Sequence, residues 1–404
     1  MKHLRPVPSL ALAAAIGWAI PAQAQQAEQP AASSGDSWSI KPRGRLQLDL
    51  GAADASNAVT AAVDAINQGD FDLDGEVRRA YLGVDGKIPG GLGFRVEADF
   101  AGDDVTWTDV YLTYDVSDQL RLTLGHQKPF WGLEEMTSDL HTSFTERAAI
   151  NTAFGYERRV GISAAYNSGA VLVQGGVFRD DMDMMWDGTP NGYSVDGRVV
   201  VMPELGSGQL HLGGSVHFRE LDDGSSARYR ARPFIHTVDT RFVDTGSITE
   251  VERETGYGLE LAYVSGPFHA AAETHWQQLS RASGLAEPTF FGGYVETGYF
   301  LTAGDSRGYK GGTFDRIRPT NPLGGGGIGA IQINLRYEYL DLIDAGFIGG
   351  KQNVYTAGLV WVPTANTKLM LNYGRVEYDQ AVIAAAGERS FGLDTVAMRV
   401  QFDF

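Results

Sequence analysis

Sixteen stretches of about ten residues, each alternating apolar and polar side chains, run from Arg43 to the final residue, Phe404. They span 43–51, 77–88, 92–101, 105–115, 119–127, 157–167, 169–178, 193–202, 208–219, 254–265, 267–278, 289–300, 328–341, 352–363, 366–378 and 392–404. A strand sends successive side chains to opposite faces, so period two predicts strands with one apolar face and one polar face. The last is the clearest: Val396, Met398, Val400, Phe402 and Phe404 share one face, and Thr395, Ala397, Arg399, Gln401 and Asp403 share the other. An even number of such strands suits a closed barrel in which the apolar face meets lipid and the polar face meets the lumen.

The links sort by length. Pro89-Gly90-Gly91, Val116-Ser117-Asp118, Asn167-Ser168-Gly169, Ser265-Gly266-Pro267 and Thr364-Ala365-Asn366 are tight-turn sequences. Between them lie longer polar links at 52–76, 128–156, 179–192, 220–253, 279–288, 342–351 and 379–391. This alternation predicts short periplasmic turns at one end and external loops at the other. The Gly- and Pro-rich link 302–327 is long where a short turn belongs, and the alternation does not account for it.

The amino terminus reads as an export signal. Lys2, His3 and Arg5 precede the apolar run Leu10 to Ile20 and the small-residue site Ala22-Gln23-Ala24, so residues 1–24 are expected to be cleaved. Residues 25–42 read as a flexible leader and 43–404 as the barrel. The chain has 33 Lys and Arg against 50 Asp and Glu, a formal charge of −17, and loss of Lys2 and Arg5 on cleavage would leave −19. Such a balance excludes a general nucleic-acid binder. The chain holds no cysteine and no H-E-x-x-H, so thiol and zinc chemistry find no support, and nothing calls for a metal or cofactor.

Strand parity predicts which charges face the lumen: Arg79, Tyr81, Asp85 and Lys87, then Arg95, Glu97 and Asp99, then Asp109, Tyr111 and Arg121. It also places Arg159, Arg198, Arg219, Arg336 and Arg399 inside, opposed by Asp196, Glu260, Glu273, Glu296, Glu338 and Asp403. Arg78 has lipid-face parity, as though it reached the interface by its stem. The link 128–156, with Lys128-Pro129-Phe130-Trp131-Gly132-Leu133 and Phe144-Thr145-Glu146-Arg147, is too apolar for a solvated loop. A sixteen-stranded barrel is too wide for side chains to fill. This third external loop is therefore expected to fold inward, with Lys128 and Arg147 at a constriction.

Several segments together resemble the phosphate-selective porin O/P family. They include Val77-Arg78-Arg79-Ala80-Tyr81-Leu82-Gly83-Val84, His126-Gln127-Lys128-Pro129-Phe130-Trp131-Gly132, Phe144-Thr145-Glu146-Arg147-Ala148, Arg158-Arg159-Val160-Gly161-Ile162, Leu335-Arg336-Tyr337-Glu338-Tyr339 and the terminal Arg399 to Phe404. The resemblance implies a sixteen-stranded homotrimeric porin of the bacterial outer membrane, inserted by the barrel assembly machinery among lipopolysaccharide. It further implies lumen cations guiding oxyanions such as phosphate, with Arg78 and Arg79 as the second strand's arginine pair. Lys128 would open the inward loop, Arg147 would follow it, and Asp109 would be the acidic residue that precedes the Tyr111-Leu112 segment.

The resulting expectation is an all-β, sixteen-stranded antiparallel transmembrane barrel, with Arg79, Asp109, Lys128, Arg147, Arg121 and Arg159 along an anion path and no catalytic residue. A full arginine ladder is not expected, because the lumen alternates signs. The rival reading is a general or cation-preferring porin whose field is set by Asp85, Glu97, Asp99 and Glu338; a purely structural barrel is a further alternative.

Overall fold

The computed structural model describes residues 37–66, 71–155, 157–182 and 192–404. The expected signal peptide, 1–24, and most of the expected leader lie outside them. Sixteen long strands close into one antiparallel barrel. In chain order they are β1 (Ser39–Ala55), β2 (Asp74–Ile88), β3 (Leu92–Asp99), β4 (Thr106–Asp115), β5 (Leu120–Gln127), β6 (Arg159–Asn167), β7 (Val171–Phe178) and β8 (Tyr193–Val201). The second half comprises β9 (Gly208–Glu220), β10 (Val251–Ser265), β11 (Phe268–Arg281), β12 (Thr289–Phe300), β13 (Ala330–Asp344), β14 (Phe347–Thr364), β15 (Thr367–Asp379) and β16 (Phe391–Asp403). Each strand pairs with the next, and β16 returns to β1 from Arg45↔Asp403 to Ala55↔Leu393, so the long sheet has no free edge.

Two local departures from the alternation have physical causes. β1 begins at Ser39, within the stretch expected to be leader. Pro42 lacks an N–H and reads as a strand boundary, but here it pairs only with Val84 of β2, because pairing with β16 starts at Arg45. In β2 the register shifts so that Gln47 faces Arg79 and Leu48 faces Val77. Arg78 is the extra residue of a β-bulge, which re-aims its side chain. It does not face lipid as parity predicted; its Nε lies 2.9 Å from Glu146 Oε1 on the inward loop.

A second register shift, where Val96 faces Val110 but Ala98 faces Trp107, turns both Thr108 and Asp109 inward, and away from such bulges parity holds. Leu46, Leu48 and Leu50 on β1 and Val396, Met398, Val400 and Phe402 on β16 are exposed on the outside, whereas Gln47, Asp49, Arg399 and Gln401 are buried inside. A charge at mid-bilayer on the outer face would cost about 2–4 kcal/mol, which enforces the separation. Two fully buried lumen arginines are paired: Arg399 donates to Asp49 at 2.6 Å and Arg198 to Glu260 at 2.6 Å.

Two segments occupy the lumen. The link after β5 carries α2 (Leu133–Met136), a 3₁₀ turn (Asp139–His141) and α3 (Ala149–Phe154); α1 (Asn57–Asp64) lies earlier, in the link after β1. The link after β5 lies against inward-facing side chains of β11 to β15. Trp131, fully buried, donates its indole N–H to His275 Nδ1 at 3.1 Å, and Thr145 N donates to Asn372 Oδ1 at 2.9 Å. The long link after β12 forms a small hairpin, Gly308–Lys310 with Thr313–Asp315. Tyr309 pairs its hydroxyl with His211 Nδ1 at 2.7 Å, Arg198 donates to Gly312 O at 2.8 Å, and Phe314 N donates to Thr137 Oγ1 at 3.2 Å. The anomalous link 302–327 is thus a lumen-filling hairpin that meets the inward loop.

Candidate functional site

The inward loop leans on β11 to β15 and leaves the opposite side of the lumen open. Between the loop and the wall of β1 to β5 lies a cavity of about 870 Å3. Arg79, Asp109, Arg121, Lys128 and Arg147 all line it, together with Arg43, Arg45, Arg95, Arg158 and Arg316. Arg159 does not; it lines a second cavity of about 410 Å3 that shares Thr152, Gly155 and Glu157 with the first.

At the narrow part, wall arginines hold loop carboxylates. Arg79 Nε lies 2.8 Å from Asp139 Oδ2, and Arg45 reaches the other Asp139 oxygen. Burial opposes the Asp139 charge, but Arg45 and then Arg79 outweigh it and hold the carboxyl well below the usual range. Asp109 sits between two guanidiniums, Arg158 at 2.6 Å and Arg95 at 3.1 Å. Lys128 Nζ lies 2.5 Å from Glu135 Oε1 and donates to Glu135 O at 2.7 Å. Burial, with Arg147 beside it, pulls Lys128 down to about 8, although 20% of the side chain stays open to the channel. Arg147 shapes the loop by donating to Glu134 O at 3.0 Å and Thr137 O at 2.9 Å. Arg121, 56% exposed and 2.6 Å from Asp115, belongs to the short-turn mouth of the cavity and not to its narrow part.

The carboxylates that parity opposed to this basic side mostly do not reach the channel. Glu273, Glu296 and Glu338 are buried behind the loop, with 1%, 5% and 2% of their surface exposed. Glu97 is likewise buried, its Oε2 2.8 Å from Arg43 Nε. Of the carboxylates expected to set a cation-preferring field, only Asp99 lines the cavity. The lining holds nine Arg and Lys against six Asp and Glu, a basic surface inside an acidic chain. His141 adds no charge, because burial, then Lys368 and Arg307, push it down to about 3.

The second cavity is more one-sided, with six arginines against Glu157 and Glu254. This corrects the expectation that the lumen alternates signs throughout. Most of these arginines come from the link 220–253: Arg228 is 2.8 Å from Asp244, and Arg232 is 2.7 Å from Asp239. Among the described residues, no carboxylate lies within 4 Å of Arg230 or Arg241. Burial, with Arg232 and Arg230 close by, pulls Arg241 down to about 10. The signal was present in the sequence as Arg228, Arg230 and Arg232 at every second position between Ala227, Tyr229 and Ala231. Arg43, Arg45, Arg95, Arg158 and Asp139 were also missed as site residues.

Residues 40–404 match the family described as phosphate-selective porin O and P. The chain belongs to this family. A 394-residue alignment with porin O of Pseudomonas aeruginosa is 24% identical and covers 86% of this chain and 85% of that one. An uncharacterized protein of Caulobacter vibrioides is 43% identical over 385 residues, 93% of this chain and 76% of its own length. Among solved structures, the anion-selective porin from Comamonas acidovorans superposes with a TM-score of 0.57 at 13% identity, covering 91% of this chain and 100% of that one. The outer membrane channel DcaP of Acinetobacter baumannii gives 0.55 at 15% identity, over 92% and 99% of the two chains. This porin is therefore a bacterial outer-membrane channel protein, and its closed barrel with a cavity in the lumen agrees with that placement.

Proposed function

We propose that this porin passes small anions, phosphate among them, by passive diffusion and without chemical conversion. The carrying observation is the excess of nine cationic over six acidic side chains along the channel. An ion losing part of its water in a narrow pore needs fixed charges of the opposite sign to replace it. The inward loop produces that excess by covering the acidic wall of β11 to β13 and leaving the arginine wall of β1 to β3 wet. The six-arginine cavity next to the channel supports the same reading, since clustered charge raises the local concentration of counter-ions. Carboxylates on solvated loops are screened within a Debye length of about 8–10 Å, so the chain's net −17 does not oppose it.

The names of two relatives point the same way, one a phosphate-selective family and one an anion-selective porin. The working form is proposed to be a homotrimer, as in the trimeric form of Vibrio cholerae OmpT, which gives a TM-score of 0.57 at 11% identity. Residues 1–24 would be removed on export, and the barrel assembly machinery would insert the chain beside lipopolysaccharide. Reversal potentials in planar bilayers under a salt gradient, with chloride and then phosphate as the anion, test the selectivity. A potential of anion sign is expected; one of cation sign would leave a general or cation-preferring porin.

A further inference from the structure

Both short helices of the inward loop begin without a cap of their own. α2 follows Gly132 and α3 follows Ala148, and neither residue offers a side chain to the free N–H groups of the first turn. Beside the loop's own Glu134, which accepts from Ala148 N at 2.8 Å, the barrel wall supplies the acceptors. Glu273 of β11 accepts hydrogen bonds from Leu133 N and Glu134 N, each at 2.7 Å. Glu338 of β13 accepts one from Ala149 N at 2.7 Å.

The fit around Glu273 is close. Tyr294 donates its hydroxyl to the same carboxylate at 2.6 Å. Gly132 has φ +57°, and a Cβ there would lie 2.5 Å from Glu273 Oε2, so the backbone approaches the carboxylate as only glycine allows. Glu338 Oε1 lies 2.6 Å from Arg336, whose other terminal nitrogen donates to Glu134 Oε1 at 2.9 Å. The two anchors therefore grip the loop at its start and its end, on the side away from the channel.

We propose that Glu273 and Glu338 are positioning residues that set both the width and the charge sign of the channel by holding the inward loop against the β11–β13 wall. The loop carries Lys128, Asp139 and Arg147 to the basic side, and its back covers the carboxylates of Glu273, Glu296 and Glu338. Releasing it widens the path and brings those carboxylates to water, where each adds a negative charge to the channel. The proposal rests on the channel reading above, and the two can fail separately.

The test uses the full-length porin in planar bilayers, comparing wild type with Glu273→Gln, Glu338→Gln and the double variant. Glutamine turns an N–H donor toward one of the two amides that Glu273 serves, so the cap weakens without loss of volume. The double variant has itself lost two of the three covered carboxylates. It is therefore expected to conduct more than wild type and to lose part of its anion preference as Lys128 and Arg147 leave the path and Glu296 meets water, while unboiled protein still runs as an assembled species in detergent gels. An assembled double variant with wild-type conductance and reversal potential overturns the proposal. Hydrogen exchange on the wild-type protein covers a variant that fails to assemble. Amides of Leu133, Glu134 and Ala149 should exchange as slowly as those of β11, and exchange as fast as the turn at 365–366 overturns the anchors. A cation-preferring wild type with slow exchange at those amides would end the anion reading and leave the anchors standing.

Discussion

Phe404 and Gly44 exchange both of their backbone hydrogen bonds, Phe404 N to Gly44 O at 3.1 Å and Gly44 N to Phe404 O at 3.2 Å. The last residue of the chain is thereby the final rung that joins the barrel's two end strands. Its ring lies over the glycine, where a Cβ would come within 2.5 Å of Phe404 Cε1.

A valine at position 44 must push that ring aside, at about 1–3 kcal/mol for an overpacked contact. Gly44→Val is expected to assemble with reduced heat resistance. Phe404→Asp places a carboxylate at the edge of the lipid belt, where the cost in the folded barrel is only about 0–1 kcal/mol. On the proposal that the barrel assembly machinery recognises the aromatic of this closing strand, Phe404→Asp is nonetheless expected to abolish assembly while secretion continues. A normal yield of heat-modifiable Phe404→Asp protein would sink that expectation.

Arg79 ties the second strand to the inward loop through Asp139, and the adjacent bulge brings Arg78 to Glu146 on the same loop. In Arg79→Ala, Asp139 keeps Arg45, so the lost contact should cost about 1–3 kcal/mol, as for one hydrogen bond to a charged group. The larger effect is electrostatic. One fixed cation leaves the narrow part while the carboxylate it balanced remains. The anion-to-cation permeability ratio should fall clearly in Arg79→Ala and scarcely in Arg121→Ala, whose side chain stands at the exposed mouth. Equal losses in the two variants would mean that the narrow part does not control selectivity.

The barrel was legible because lipid on one face and polar lumen on the other impose period two on every strand. All sixteen alternating stretches became strands, and the terminal one pairs with the first. Parity assigned Arg198, Arg336 and Arg399 to the lumen correctly, since each is buried there beside a carboxylate. It failed at Arg78 because a bulge depends on the partner strand's register, which no single segment encodes. Parity also says which way Glu273 and Glu338 point, but not what lies across the lumen. Their partners, Leu133 and Ala149, are 140 and 189 residues away, and only the folded loop decides that these carboxylates are covered. The basic row Arg228, Arg230 and Arg232 was visible as residues, but its meaning depended on a cavity built by two separate links and four strands.

Lys128 is expected to make the channel's selectivity depend on pH. Burial and the neighbouring Arg147 hold it at about 8, whereas an unperturbed lysine would stay charged to about 10.5. With that value about nine-tenths of the side chains are charged at pH 7 and about one-tenth at pH 9. Anion preference is therefore expected to weaken as pH rises through about 8. Stability moves the other way: between about 8 and 10.5 the unfolded chain holds a proton that the folded chain has released, so folding strengthens with rising pH across that window. Reversal potentials measured from pH 6 to pH 10 should show one step near 8 in the wild type. Lys128→Arg keeps its charge throughout and should remove the step, since a guanidinium does not deprotonate in this range. Lys128→Met should give the high-pH selectivity at every pH. A step of the same size and midpoint in Lys128→Arg would assign the titration to a different group.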